Sequence, residues 1–99
     1  MALYVCCTNN PMNEKLEWDV AAVGTVCKSG IRHVEIDGKI SSVLCFKMIE
    51  DNGETHECHV WGQRGVSIAP YVIKGRRVRI TGKTSSEHPH LIRVGVCMY

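Results

Sequence analysis

The sequence is short of rings, with two Trp, three Tyr and one Phe among its 99 residues, so few side chains are available to stack on a flat ligand. It also has no apolar run near the ~20 residues that cross a bilayer as a helix, and its opening MALYVCC lacks the charged and apolar sections of a secretion signal. The chain therefore reads as soluble, unexported and cytoplasmic, with no membrane partner. No CxxC occurs, adjacent Cys6 and Cys7 make a poor chelating pair, and no glycine-rich phosphate loop, paired acid and base or Cys/His nucleophile motif appears. Nothing here points to an enzyme or to a cofactor. Internal repeats and low-complexity segments are absent too.

Six cysteines are present, Cys6, Cys7, Cys27, Cys45, Cys58 and Cys97. Several fall inside apolar alternating runs, where a thiol acts as a small hydrophobe, so the expectation is reduced cysteines with Cys45 and Cys58 buried, and no disulfide scaffold. A zinc site would have to draw on His56, Cys58, His59, His88 and His90. Strand alternation sends His56 and Cys58 to the face opposite His59, which leaves too few convergent ligands, and no metal is expected. Asp37, beside Glu35, is explained by turn chemistry alone.

Charge is present and unevenly spread. Residues 1–62 hold five Lys/Arg and nine Asp/Glu, a net of −4; residues 63–99 hold seven and one, a net of +6. A basic third in a chain of net charge +2 has the character of a local footprint for a polyanion, the alternative being a merely solvated surface.

The stretch from Thr55 to Thr84 organises the rest. His56, Cys58 and Val60 alternate with Glu57, His59 and Trp61 up to Gly62, the period of a strand buried on one face, which turns Trp61 outward. Val66, Ile68, Ala69 and Val72 then follow at helical spacing, cut to a turn or two by Pro70. After Lys74-Gly75 a second alternation puts Val78 and Ile80 inside and Arg77 and Arg79 outside, so that Trp61 and the two arginines are expected to share a sheet exterior. Upstream, residues 18–28 form a first strand with small Ala21, Ala22 and Gly24, Ser29-Gly30 is a turn or bulge, and residues 31–36 extend again. Asp37-Gly38 closes a hairpin into a strand over residues 40–50, with Leu44, Phe46 and Met48 inward. Residues 51–54 form a compact turn. The last strand, residues 91–98, has Ile92, Val94 and Val96 inward and Arg93 outward. Trp18 either caps the barrel end or offers a second stacking surface. Residues 1–17 are a separate N-terminal extension, a strand added to a sheet edge or a tail; residues 18–99 make one domain.

The arrangement Val-Trp-Gly at Val60 to Gly62, an apolar connection through Ala69, Tyr71, Lys74 and Gly75, and then Val78 to Gly82 resembles the bacterial single-stranded-DNA-binding protein family. A weaker echo in Val23-Gly24, Ile31-Arg32 and Asp37-Gly38 extends the likeness over about residues 18 to 83. The resemblance implies an all-β fold, a five-stranded OB-fold Greek-key barrel with one short helical connection between strands 3 and 4. It implies binding of single-stranded nucleic acid, DNA above all, by a basic groove along the backbone and rings under the bases. Trp61 matches the family's exposed aromatic. Its basic companions here are Arg77, Arg79, Lys83, Arg64, Lys74 and Arg93, with Arg32 and Lys47 from the earlier hairpin. The family likeness also implies a homodimer or homotetramer.

The chain departs from the family in three places. Residues 51–54 replace a long loop that carries an aromatic, the connection after Gly82 has no tryptophan, and no flexible linker with an acidic tip follows Tyr99, so partner recruitment does not transfer. With so few rings, fewer bases stack. The rival reading is an OB-fold used for protein contact, as an accessory subunit of a replication or other complex.

Overall fold

A computed structural model describes residues 16–99. The N-terminal extension expected over residues 1–17 falls, but for Leu16 and Glu17, outside the described residues.

Among the described residues there are five strands, β1 (Glu17–Ile36), β2 (Lys39–Glu50), β3 (Thr55–Trp61), β4 (Arg77–Ser85) and β5 (Leu91–Met98), with one helix, α1 (Gln63–Ile68), between β3 and β4. Their order is β1-β2-β3-β5-β4, closed back on β1. All neighbours are antiparallel except β3 and β5, which run parallel through Glu57↔Leu91, Cys58↔Ile92 and His59↔Arg93. This is the expected five-stranded OB-fold Greek-key barrel, and closure removes the sheet edges that would otherwise template aggregation.

The long first strand makes closure possible by serving two partners. Its first half pairs with β4 and its second with β2, and Gly24 is matched to Val78 on one side and Glu50 on the other. A Cβ at Gly24 would lie 2.3 Å from the Ile49 carbonyl oxygen, so only glycine lets the strands cross there. Expectation and structure differ in detail: the chain does not turn at Ser29-Gly30 but continues as strand, and the irregularity lies between Val26 and Lys28, where Cys27 is the extra residue. That one residue reverses the inside–outside phase. Val26 faces the core, whereas Lys28 pairs outward with Lys47.

The core is assembled from one phase of every strand: Ala22 and Val26, Leu44, Phe46 and Met48, Cys58 and Val60, Val78 and Ile80, Ile92 and Val94, closed by Val72 from the connection. Each large apolar side chain among them contributes about 1.5–3 kcal/mol by leaving water. Val96, expected inward, is instead 55% exposed. The register with β4 slips between Thr81 and Gly82, leaving Gly95 unmatched, and Cys97 packs against the core in its place.

Turn chemistry follows the residues. Asp37 and Gly38 both take positive φ, 52° and 78°, and close the β1–β2 hairpin in two residues. In the β2–β3 turn the Asn52 side-chain oxygen accepts the Glu54 N–H at 2.9 Å. Gly62, at φ 77°, swings the chain out of β3 into α1 while its N–H bonds Ser42 O at 2.8 Å, which fixes the end of β3 where Trp61 sits.

Candidate nucleic-acid interface

The outward residues of the strands line up in rows across the barrel. One row is Arg32, Val43 and Trp61, read across β1, β2 and β3, although Val43 on this outer phase is itself covered and buried. The next is Gly30, Cys45, His59, Arg93 and Lys83, continuing through β5 to β4. A third begins Lys28, Lys47 and Glu57. Five of the nine residues expected at the interface, Trp61, Arg32, Lys47, Lys83 and Arg93, therefore share one continuous outer surface. Trp61 is 38% exposed. Trp18 lies on the inward phase of β1 at the end of the barrel and is 44% exposed.

Two neighbours that the sequence reading passed over join this surface. Lys28 was hidden by the bulge, because counting alternation from Val26 turns it inward. His59 was weighed only as a metal ligand. The hollow between β1 and β2, about 320 Å³, is bordered by Lys28, Arg32 and Lys47 together with Glu57, with Gly30 leaving it open. Among the described residues these three cations form no ion pair.

On the β4–β5 side the cations do have partners. Lys83 Nζ lies 3.3 Å from Asp19 and Arg93 Nη2 lies 3.5 Å from Glu17. There the surface sinks into a recess of about 230 Å³ walled by Trp61, His59, Glu17, Arg93, Lys83 and His88. A shallower hollow of about 740 Å³ adjoins it, sharing Lys83 and Arg93. The recess has a fixed rim. The buried Thr84 hydroxyl reaches Leu91 O at 2.8 Å and His88 O at 3.0 Å, tying the β4–β5 loop down, and Leu16 exchanges bonds with Ser86.

The remaining expected residues lie elsewhere. Arg77 forms a two-pronged bond to Asp51, at 3.0 and 2.9 Å, which places it beside the β2–β3 turn. That is the Thr55 end of β3, about 20 Å along the strand from Trp61 at roughly 3.3 Å per residue. Arg77 and Trp61 thus do not share a patch. The guanidinium, by hydrogen bonding first and charge second, holds the Asp51 carboxyl below its ordinary value. Arg79 is exposed between Val23 and Met98. Arg64 on α1 donates to the Gly95 carbonyl, and Lys74 is exposed in the connection.

Cys58 is fully buried, and desolvation above all pushes its thiol up to about 12, so it behaves as the expected inert hydrophobe. Cys45, expected buried, is only half-buried because it sits on the outer phase. His56 and Cys58 do face away from His59. The described residues bring Glu50, Glu54 and His56 within 4.8 Å of one another, but structural zinc uses four ligands, and His56 Nε2 is already bonded to Glu50 at 2.5 Å.

Comparison with known proteins bears on the fold. No family model and no curated protein matches the chain. Among solved structures, the second single-stranded DNA binding protein (SSBb) of Mycobacterium smegmatis is similar with a TM-score of 0.66 at 15% identity, over 84% of this chain and 88% of that one. The small single-stranded DNA-binding protein of Streptomyces coelicolor is similar with a TM-score of 0.58 at 16% identity, over 85% and 93%. The chain has the fold of these two proteins.

Proposed function

We propose that the protein binds single-stranded nucleic acid, DNA in the first place, across the outer surface that runs from Lys28, Arg32 and Lys47 past Trp61 to Arg93 and Lys83. The observation that carries this reading is a like-charged pair. Lys28 and Lys47 stand directly opposite each other on neighbouring strands, with Arg32 one row on, and none of the three forms an ion pair among the described residues, although Glu57 is matched to Lys47 on its other side. Directly opposed like charges destabilise a sheet by a few tenths to about 1 kcal/mol. Such an arrangement is useful where a polyanion supplies the missing charge. Trp61 in the Arg32 row supplies a ring, and a base stacked on such a ring gains about 1–3 kcal/mol. That the two structural relatives are single-stranded DNA-binding proteins supports the reading. Arg79 and Lys74, exposed beyond this surface, extend the positive field; Arg64 and Arg77 enter it as charges already engaged.

The test is titration of an oligonucleotide of about thirty bases at several salt concentrations, followed by tryptophan fluorescence. Trp61→Ala is expected to weaken binding by about 1–3 kcal/mol and to leave the slope of log K against log salt unchanged, since it removes a stack and no charge. Failure of the parent protein to bind at low salt would overturn the reading.

A second reading, self-association, is favoured by Val96 and Met98, which face outward on β5 next to the stacked rings of Tyr71 and Tyr99, 5.1 Å apart. A homodimer or homotetramer covering this strip would leave the Trp61 surface open. Sedimentation at tens of micromolar that finds only a species of 11.1 kDa would sink it.

A further inference from the structure

We propose that the recess beside Trp61 takes one unstacked guanine, whose Watson–Crick edge is read by Glu17 and Arg93. The inference rests on the nucleic-acid reading above and adds a base preference to it. A volume of about 230 Å³ is below the roughly 300–1,000 Å³ of a drug-sized ligand site and suits a single flat ring system. Trp61 provides one wall, and Lys83 stands at the rim where a phosphate would pass.

The residue that calls for an account is Glu17. A carboxylate only accepts hydrogen bonds, and on a surface meant for phosphates it repels the ligand unless it meets a donor. Its backbone is fixed by pairing with Ser85, next to the Leu16–Ser86 bonds, so its place in the wall is set by the barrel. Its contact with Arg93 is loose, at 3.5 Å, and both side chains are partly exposed, so the pair can open around an inserted edge without being rebuilt. Guanine offers two adjacent donors, N1–H and the N2 amino group, next to the O6 acceptor. Two carboxylate oxygens beside a guanidinium match that sequence of groups. Adenine sets N1 and cytosine sets N3, both acceptors, against the carboxylate, and thymine flanks its single N3–H with two carbonyls. Each of those bases leaves at least one lone pair facing Glu17. The other titratable groups on the wall, His59, His88 and Lys83, are not carboxylates, and the carboxylates just outside it, Glu57 and Asp19, are taken up by His59 and Lys83.

The experiment uses thymine oligonucleotides of about fifteen bases carrying one guanine, adenine or cytosine at the centre, titrated against the whole chain at fixed salt. One guanine is expected to tighten binding about five- to tenfold over the all-thymine strand, the low end of what one bidentate base contact gives. Glu17→Gln is expected to abolish that advantage while binding the all-thymine, adenine and cytosine strands as well as or better than the parent, because it removes a negative charge from the surface. A purely structural role for Glu17 would instead weaken every strand. Equal affinity for all four strands, or a guanine preference that survives Glu17→Gln, overturns the inference and leaves the nucleic-acid reading standing. Absence of binding to every strand overturns both.

Discussion

The two halves of β1 treat charge in opposite ways. Along the first half and its neighbours β4 and β5, each cation near the Trp61 recess has a carboxylate: Lys83 has Asp19 and Arg93 has Glu17. Along the second half, against β2, Lys28, Arg32 and Lys47 form no ion pair among the described residues, and two of them face each other, with Glu57 matched to Lys47 from β3 but not bonded to it. Exposed ion pairs are worth little to stability, about 0–1 kcal/mol, so the difference is not explained by folding. On the nucleic-acid reading proposed above, it separates two kinds of work. Unpaired cations release counterions from a strand whatever its sequence. Paired ones hold geometry, and geometry is what a base edge requires.

The largest expected effect breaks the comparison by removing the point where the halves meet. Gly24→Val puts a branched side chain where even a Cβ would lie 2.3 Å from Ile49 O and 2.9 Å from the Met48 methyl. Overpacking ordinarily costs about 1–3 kcal/mol, and a backbone clash in a closed barrel has no direction in which to relax, so a loss of at least about 3 kcal/mol is expected. Urea unfolding measures it; a midpoint within error of the parent would show that β1 does not depend on close crossing here.

A smaller effect on the molecule, but the largest on binding, is expected from Lys28→Ala, Arg32→Ala and Lys47→Ala together. If all three contact phosphates, the slope of log K against log salt falls by about 2, near 0.7 for each single-strand contact. The same variant is expected to be as stable as the parent or slightly more so, since it relieves the opposed lysines. A variant that unfolds more easily and keeps its salt slope would assign these cations to the fold.

Much of this was legible in the residues. The alternation in Thr55–Trp61 and Arg77–Gly82 placed Cys58, Val60, Val78 and Ile80 inside and Trp61 outside, because a half-buried strand has a period of two that sequence displays directly. The turns at Asp37-Gly38 and residues 51–54 were equally plain. What could not be read were the two irregularities. Cys27 and Gly95 each insert one residue, and every position beyond such an insertion changes face, which is why Lys28 was overlooked and Val96 was assigned to the core. The grouping of Trp61 with Arg77 and Arg79 failed to appear for a different reason. Outwardness is local, but sharing a patch depends on how strands are staggered around a barrel, and Asp51, which meets Arg77, is 26 residues away in the chain.

The smallest expected effect sharpens the distinction between paired and free cations. Arg77 is exposed like Arg79, yet two of its nitrogens are committed to Asp51. Removing both partners, Arg77→Gln with Asp51→Asn, changes no net charge and is expected to leave the salt slope unaltered, whereas Arg79→Ala lowers it by about 0.7 if Arg79 meets a phosphate. The pair also has a signature in pH. Arg77 depresses the Asp51 pKa below its ordinary 3.8, so the stability it contributes is present above about pH 4 and is lost as pH falls through the lowered value. Both groups are fully exposed and screened, so the contribution is small. The parent is expected to melt slightly above the double variant at pH 7, with the gap narrowing as the pH is taken well below 4. A gap that does not narrow at all with acidification would mean that Asp51 and Arg77 stabilise the turn by packing and not by charge, and a double variant with a reduced salt slope would return Arg77 to the nucleic-acid surface.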